Sequence, residues 1–286
     1  MIESTYSQKD RLDAAKASPE AVAKHDKERW LSLFARQAVV EDPVGSAPHW
    51  RGNGRGNVSL DRFYETFIAP NTIGFESRMD IVIGDLVVRD VAIEISSSSG
   101  AIAHVDAYVL YQLTEEDYHL KITRLAAYWE LMPMVKQVIG SGLSGLQMMI
   151  SLGFRMLRIQ GLSGVLGYMK GFRGIGRRGK RAVEEFVNAV NACACDMLTD
   201  TLEPDAKIEF PTRGNIFTPS TLSSAFEAPL TVSSLISAGI ATSCHFEIGS
   251  DGVLADGVAL FEFNTKSRRI ERARFFIHPA KGAKPV

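Results

Sequence analysis

The sequence has 286 residues, a length that is comfortable for two ordinary domains. Its content of 45% hydrophobic and 23% charged residues is typical of a globular protein and excludes a disordered chain. The formal net charge of −1 gives no overall attraction to nucleic acid, and three cysteines do not make a disulfide framework. Residues 1–6 lack the apolar core of a signal peptide, so we expect a cytoplasmic protein.

The first predicted element is a helix that begins at Ser18. Ser18-Pro19-Glu20 combines a serine cap, a proline in the first turn and an acid beside the positive end of the helix dipole. The helix leads to an apolar patch that we predict to be core: Trp30, Leu31, Leu33 and Phe34.

Asp42 lies where an apolar segment gives way to turn-forming residues, in Val40-Glu41-Asp42-Pro43-Val44-Gly45-Ser46. Pro43 biases Asp42 toward an extended conformation, and the glycine and serine then favour a turn. A carboxylate at the end of a strand can be half-buried, as a general base requires. The structural alternative is an aspartate that only caps its own turn.

The segment after Asp42 predicts an α+β domain. Residues 50–57 form a glycine-rich stretch without the Gly-Lys-Ser/Thr ending of a phosphate loop, so we interpret it as a connection, and residues 60–68 predict a short helix. From 73 to 132 a period of two predicts successive strands, with turns at 84–85, 96–100 and 114–117. Helices followed by an antiparallel meander predict a curved sheet with helices on one face.

Residues 133–179 predict a cationic, amphipathic, glycine-rich helical insert. No Asp or Glu occurs between Met134 and Arg181, and arginines interrupt the apolar run before it could span a bilayer. Two interpretations stay open. The insert is a helical linker packed on the domains with its arginines solvated, or residues 134–181 make a peripheral contact with an anionic membrane or partner.

The second half of the chain repeats the first. Residues 205–211 align with 37–43, residues 256–263 with 106–113, and residues 270–276 with 122–128. The three matches occur in the same order, which favours a duplicated domain. Phe210 occupies the position of Asp42, and a phenylalanine cannot transfer a proton.

The Asp42 segment, together with Leu33-Phe34-Ala35, Pro48 and Gly52, closely resembles the ketosteroid isomerase-like and SnoaL-like proteins of the NTF2-like superfamily. The resemblance implies two cone-shaped α+β domains, 1–132 and a degenerate 180–286, joined by the insert. It also implies an isomerase that shifts a double bond in a steroid-like ketone, with Asp42 as base and a neutral Asp106 as oxyanion donor. By the same resemblance Phe63, Tyr64 and Trp129 line the ligand pocket.

The chain also departs from this family. The resemblance implies a tyrosine on the first helix, but the matching position holds Ser18. Two alternatives therefore stay open: a steroid-, lipid- or polyketide-binding protein without turnover, and a dehydratase or cyclase that uses the same pocket. We expect no metal, no organic cofactor and no nucleic-acid partner, and an intramolecular pseudo-dimer or a homodimer as the assembly.

Overall fold

The computed structural model describes residues 6–52, 59–222, 225–226, 228–249 and 254–278. The chain divides into two units, Met1–Arg173 and Gly174–Val286, and each has its own hydrophobic core. Most of the predicted insert therefore lies in the first unit. Residues 53–57 of the predicted glycine-rich connection lie outside the described residues.

The N-terminal helix α1 spans Gln8–Ala23, so the prediction that it begins at Ser18 is wrong. Ser7 is the actual cap, because it and Asp10 form a reciprocal pair of hydrogen bonds between side chains and backbone amides. Ser18 lies inside the helix and is buried, and its hydroxyl accepts a 3.2 Å hydrogen bond from the Trp30 indole. This placement turns Ser18 toward the interior of the first unit.

A six-stranded sheet forms the centre of the first unit. Its strands are β1 (Phe34–Glu41), β2 (His49–Trp50), β3 (Asn71–Ile83), β4 (Leu86–Ser97), β5 (Ile102–Glu116) and β6 (His119–Tyr128). Their order is β2-β1-β6-β5-β4-β3, and every neighbouring pair is antiparallel except β1 with β6, which are parallel. Register shifts between β1 and β6, β3 and β4, and β5 and β6 bend the sheet. The predicted strands and the turn at 84–85 are confirmed. The turn predicted at 96–100 is shorter, at 98–100, and the one predicted at 114–117 lies at 117–118, because β5 continues through Glu116.

Helices cover one face of this sheet. Besides α1 these are α2 (Lys27–Ser32) and α3 (Leu60–Phe63), and α3 continues as a π-helical turn over Tyr64–Ile68. Their apolar side chains pack with the inner face of the sheet into one core, as in the contacts among Trp30, Phe34 and Phe63. The predicted short helix over 60–68 is confirmed.

Helices α4 (Leu131–Gly140) and α5 (Leu143–Met169) confirm that the insert is helical. Gly161 has a φ of 70°, which only glycine adopts at little cost, and it kinks α5. The end of α5 docks on the segment after Asp42, because the amide of Ala47 donates a 3.0 Å hydrogen bond to the carbonyl of Gly167. A β-carbon at position 167 would lie only 2.7 Å from that of Ala47, so the close approach requires glycine. Within the described part of the chain, no helix combines the length and apolarity needed to cross a membrane.

The second unit repeats this architecture. Helix α6 (Gly176–Asn191) packs against the sheet. The strands are β7 (Leu202–Phe210), β8 (Asn215–Phe217), β9 (Leu230–Ala238), β10 (Ala241–Ile248), β11 (Ala255–Phe263) and β12 (Ile270–Ile277). The order β8-β7-β12-β11-β10-β9 reproduces the first sheet strand for strand, including the parallel pair of β7 and β12.

Each sheet also contains an arginine–glutamate ion pair at the equivalent position. The guanidinium Nε of Arg124 donates a 2.6 Å hydrogen bond to Glu41, and that of Arg272 donates a 2.8 Å hydrogen bond to Glu209. Glu209 and Arg272 are the residues that the sequence alignment places opposite Glu41 and Arg124. The predicted duplication is therefore confirmed down to the register of individual side chains.

Candidate active site

A cavity opens between the concave face of the first sheet and the helices that cover it. Its empty space, together with the solvent-open region at the mouth, amounts to about 1120 Å³. Most of its wall is apolar. The lining side chains that can donate or accept hydrogen bonds are Ser18, Trp30, Asp42, Asn71, Tyr111, Trp129, Arg155 and Tyr168.

Asp42 follows directly after β1 and lines this cavity. The indole Nε1 of Trp129, the first residue after β6, donates a 2.6 Å hydrogen bond to its Oδ1 atom. Burial raises the pKa of Asp42 from 3.8 to about 6, and the hydrogen bond from Trp129 opposes that rise. Asp42 is thus a stronger base than an ordinary aspartate and is still mostly ionised at neutral pH, which suits proton abstraction.

Tyr111 comes from β5, two strands from β1 in the same sheet, and is buried against the cavity. The pKa of its hydroxyl is raised to about 12, mainly by burial and partly by the charge of Asp42, while Arg89 and Ser18 oppose the rise. The hydroxyl is therefore protonated at neutral pH and lies within electrostatic reach of the Asp42 carboxylate. The sequence interpretation missed Tyr111 as a candidate hydrogen-bond donor.

Asp106 does not line the cavity, so its prediction as the oxyanion donor is wrong. Successive side chains of a strand point to opposite faces, and in β5 the cavity-facing residues are Val105, Val109 and Tyr111. Asp106 is an even-numbered residue of the strand and therefore points to the outer face. Its side chain is 65% exposed and forms an ion pair with Arg78. A solvated, paired carboxylate on the outer face cannot donate a proton to a ligand in the cavity.

The remaining predicted side chains divide between the cavity and the core. Phe63 and Trp129 line the cavity. Tyr64 is not among the lining residues: it is buried with its ring 5.6 Å from that of Trp30, and its hydroxyl has no hydrogen-bond partner among the described residues. The structure therefore contradicts direct contact of Tyr64 with a ligand.

Comparisons with protein families and with curated proteins find no match. Among solved structures, the chain is similar to a Δ5-3-ketosteroid isomerase from Mycobacterium sp., with 29% identity over 44% of this chain and 97% of that one, at a TM-score of 0.38. A Mycobacterium tuberculosis protein in complex with estradiol-17beta-hemisuccinate matches at 26% identity over 43% and 95% of the chains, with a TM-score of 0.37. The epoxide hydrolase/cyclase-like enzyme SalBIII matches at 18% identity over 44% and 95%, with a TM-score of 0.38.

Both units have the NTF2-like fold. The prediction of two such domains joined by a helical segment is confirmed, and it rests on the strand order and register described above. A ketosteroid isomerase, the kind of protein that the Asp42 segment resembles, is among the similar solved structures.

Helix α5 completes the cavity of the first NTF2-like domain. Its inner face contributes Met148, Leu152 and Arg155, and beyond the kink it contributes Tyr168. The ring of Tyr168 stacks on that of Phe67 at 5.3 Å. Burial raises the pKa of the Tyr168 hydroxyl, as does the charge of Asp42, so this hydroxyl is a second protonated group near the carboxylate. No feature of the insert sequence distinguished these inward-facing residues from the outward-facing ones before the helix was placed.

The second NTF2-like domain has an aromatic cluster where the first has its base. The ring of Phe210 lies 4.8 Å from that of Phe226 and 5.6 Å from that of Phe275. Phe275 also contacts the rings of Phe246 and Phe261. Because Phe210 replaces Asp42, the candidate chemistry belongs to the first domain. Among the described residues of both domains, no group of three or more His, Cys, Asp or Glu could hold a metal ion.

Proposed function

We propose that the first domain catalyses a proton-transfer isomerisation of a hydrophobic ketone of the 3-ketosteroid type, with Asp42 as the base. The observation that carries this proposal is a carboxylate with a pKa of about 6 inside a mostly apolar cavity, oriented by the Trp129 indole. Apolar walls suit a steroid-like ligand, and the carboxylate is placed to react with it.

The reaction has two steps. Asp42 removes a proton from the carbon next to the ketone, and the electron pair of the broken C–H bond delocalises onto the ketone oxygen as a dienolate. The protonated Asp42 then returns the proton to a carbon further along the conjugated system, so no other reactant is consumed.

Tyr111 is the proposed donor to the dienolate oxygen, in place of Asp106. Its hydroxyl keeps its proton at neutral pH and lies within electrostatic reach of Asp42. A neutral donor in a cavity that excludes water stabilises a developing oxyanion more than solvent does. Ser18 occupies the helix position for which the family resemblance implies a tyrosine. It lines the cavity and interacts with Tyr111, so it supports this donor.

The same departures favour one alternative, a binding protein that holds its ligand without turnover. Ser18 is too short to replace a tyrosine directly, and Asp106 is outside the cavity. A dehydratase or cyclase would also use an aspartate base in an apolar cavity, but none of the described contacts favours it over isomerisation.

One assay separates these functions. The full chain is mixed with a Δ5-3-ketosteroid, and formation of the conjugated enone is followed by ultraviolet absorbance for the wild type and for Asp42→Asn. We expect turnover by the wild type and a loss of about 10³-fold or more in the variant, with ligand binding retained. Binding without turnover by the wild type would support the carrier, and equal rates for both proteins would contradict the isomerase.

A further inference from the structure

Arg155 places a positive charge on the wall of the cavity, and no described residue forms an ion pair with it. It is a lining residue on the inner face of α5, and no acidic residue occurs anywhere in α4 or α5. Its guanidinium donates a 2.8 Å hydrogen bond to the Ser151 hydroxyl, one turn earlier in the helix. The Nε atom is buried and has no hydrogen-bond partner among the described residues.

Asp42, the other charged residue that lines the cavity, does not serve as the missing partner. The hydrogen bond of the Asp42 carboxylate is with Trp129, that of the Arg155 guanidinium is with Ser151, and no ion pair joins the two side chains among the described residues. They also come from different elements, since Asp42 follows β1 and Arg155 belongs to α5. The guanidinium and the carboxylate are therefore two separate polar groups in a mostly apolar lining.

We propose that Arg155 binds an anionic group, a carboxylate, on a ligand whose apolar body reaches Asp42. A partly buried guanidinium whose Nε–H has no acceptor costs free energy when the cavity is empty, and it is stabilised when a carboxylate accepts its hydrogen bonds. The substrate class is thus an apolar ring ketone with an acidic side chain rather than a neutral steroid. This proposal rests on the proposed function only in assuming that the ligand occupies this cavity.

The test compares a 3-ketosteroid that bears a side-chain carboxylate with its methyl ester. Dissociation constants are measured by calorimetry for the wild type, Arg155→Gln and Arg158→Gln. Arg158 is an exposed arginine on the same helix and serves as the matched control. We expect the wild type and Arg158→Gln to bind the acid about 10-fold or more tighter than the ester, and Arg155→Gln to lose that preference.

The other outcomes contradict the proposal in distinguishable ways. Equal binding of acid and ester by the wild type, or a preference that survives in Arg155→Gln, overturns the anionic subsite and leaves the proposed isomerase intact. Failure of the wild type to bind either compound overturns the subsite together with a steroid-binding cavity.

A second inference rests on the opposite face of α5, which is apolar and exposed. Five large side chains recur there at helical spacing and form an outer stripe: Leu143, Leu146, Ile150, Phe154 and Leu157. Leu143 is 82% exposed and Phe154 is 64% exposed, so most of each side chain is left uncovered by the described residues of the first unit. Exposed apolar surface of this extent marks an interaction site.

Charge identifies the partner of the outer stripe. Lys136, Arg158, Lys170 and Arg173 are exposed in the same stretch of chain, and the sequence holds no acidic residue between Glu130 and Glu184. We infer that the outer stripe docks on an anionic lipid bilayer, with its leucine, isoleucine and phenylalanine side chains at the acyl boundary. The same helix lines the cavity with its other face, so a membrane-dissolved ligand would enter next to the docked surface.

Liposome flotation of the full chain tests this docking. We expect co-flotation with vesicles that contain phosphatidylglycerol, weaker co-flotation with phosphatidylcholine vesicles, and loss of both in an Ile150→Glu, Phe154→Glu variant. Ile216→Glu, at an exposed isoleucine of β8, is the control and keeps co-flotation. Absence of wild-type co-flotation overturns the inference. A dimer in light scattering that the double substitution dissociates would also overturn it, because a second copy would then cover the stripe.

Discussion

The indole Nε1 of Trp129 donates a 2.6 Å hydrogen bond to the Oδ1 atom of Asp42. The bond joins the ends of β1 and β6, the parallel pair of the sheet, so the backbone fixes both partners. It holds one carboxylate oxygen and leaves the other for a ligand. It also limits how far burial raises the pKa of Asp42, which ends at about 6.

Removing this bond shifts the pH dependence of the proposed isomerase. For the wild type we expect kcat/KM to rise with pH through about 6, because the ionised Asp42 is the base. In Trp129→Phe the hydrogen bond that lowers the pKa of Asp42 is lost, so this pKa rises and the rise of kcat/KM moves to higher pH. The dependence of kcat/KM on pH is measured for the wild type and for the variant. Trp50→Phe, at a tryptophan that does not line the cavity, keeps the wild-type profile, and an unshifted limb in Trp129→Phe would contradict the assignment.

Asp42→Asn stabilises the protein at neutral pH. The pKa of Asp42 is higher in the folded chain than the ordinary value of 3.8, so the folded state is stabilised relative to the unfolded state while Asp42 is protonated. This stabilisation is present below pH 4 and is lost as the pH rises to about 6. The asparagine side chain carries no charge at any pH and therefore avoids the loss. We expect Asp42→Asn to raise the free energy of unfolding by about 3 kcal/mol at pH 7 and by about 0.5 kcal/mol at pH 4. Urea unfolding followed by tryptophan fluorescence reports on the first domain, because all three tryptophans lie there. A gain of equal size at both pH values would show that burial of the charge is not its cause.

Tyr111→Phe removes the proposed oxyanion donor and leaves the ring in place. We expect kcat to fall about 10²-fold, the effect typical of losing one such donor, with a small change in KM. Tyr64→Phe is the matched control, since Tyr64 is buried but does not line the cavity, and it keeps kcat. If the two variants behaved alike in the enone assay, Tyr111 would have no special role.

Asp106→Asn tests the correction of the predicted oxyanion donor. Because Asp106 lies on the outer face and pairs with Arg78 in solvent, we expect kcat within about twofold of the wild type and a loss of stability under about 1 kcal/mol. Steady-state kinetics and urea unfolding measure the two effects. A large fall in kcat with unchanged stability would restore Asp106 to the active site.

Phe210→Asp places a carboxylate at the second-domain position that matches Asp42. The carboxylate would meet the rings of Phe226 and Phe275 rather than a ligand cavity, so we expect a loss of about 3 kcal/mol and no gain of isomerase activity. Far-ultraviolet circular dichroism follows unfolding of both domains. Ile216→Asp, at an exposed side chain of the neighbouring strand, is the control and costs little. Restored turnover in a Phe210→Asp, Asp42→Asn double variant would contradict the view that the second domain has lost its site.

Much of this molecule follows from local patterns in the sequence. The alternation over 73–132 determined the strands, the ordered matches between the halves determined the duplication, and the Asp42 segment identified the carboxylate that lines the cavity. These features depend on backbone propensity and burial along one element, so a single stretch of sequence carries them.

The partners of Asp42 were decided only by the tertiary structure. Tyr111 and Asp106 lie five residues apart on β5, so their side chains point to opposite faces of the sheet. Tyr111 is on the face that the helices cover and lines the cavity, and Asp106 is on the solvent face. Ser18 reaches the cavity because the cap of α1 is Ser7, eleven residues before the cap that the sequence predicts. Arg155 reaches it because α5 docks through Gly167 on Ala47. Which face of an element meets the cavity depends on what packs against that element, and no local sequence signal specifies this.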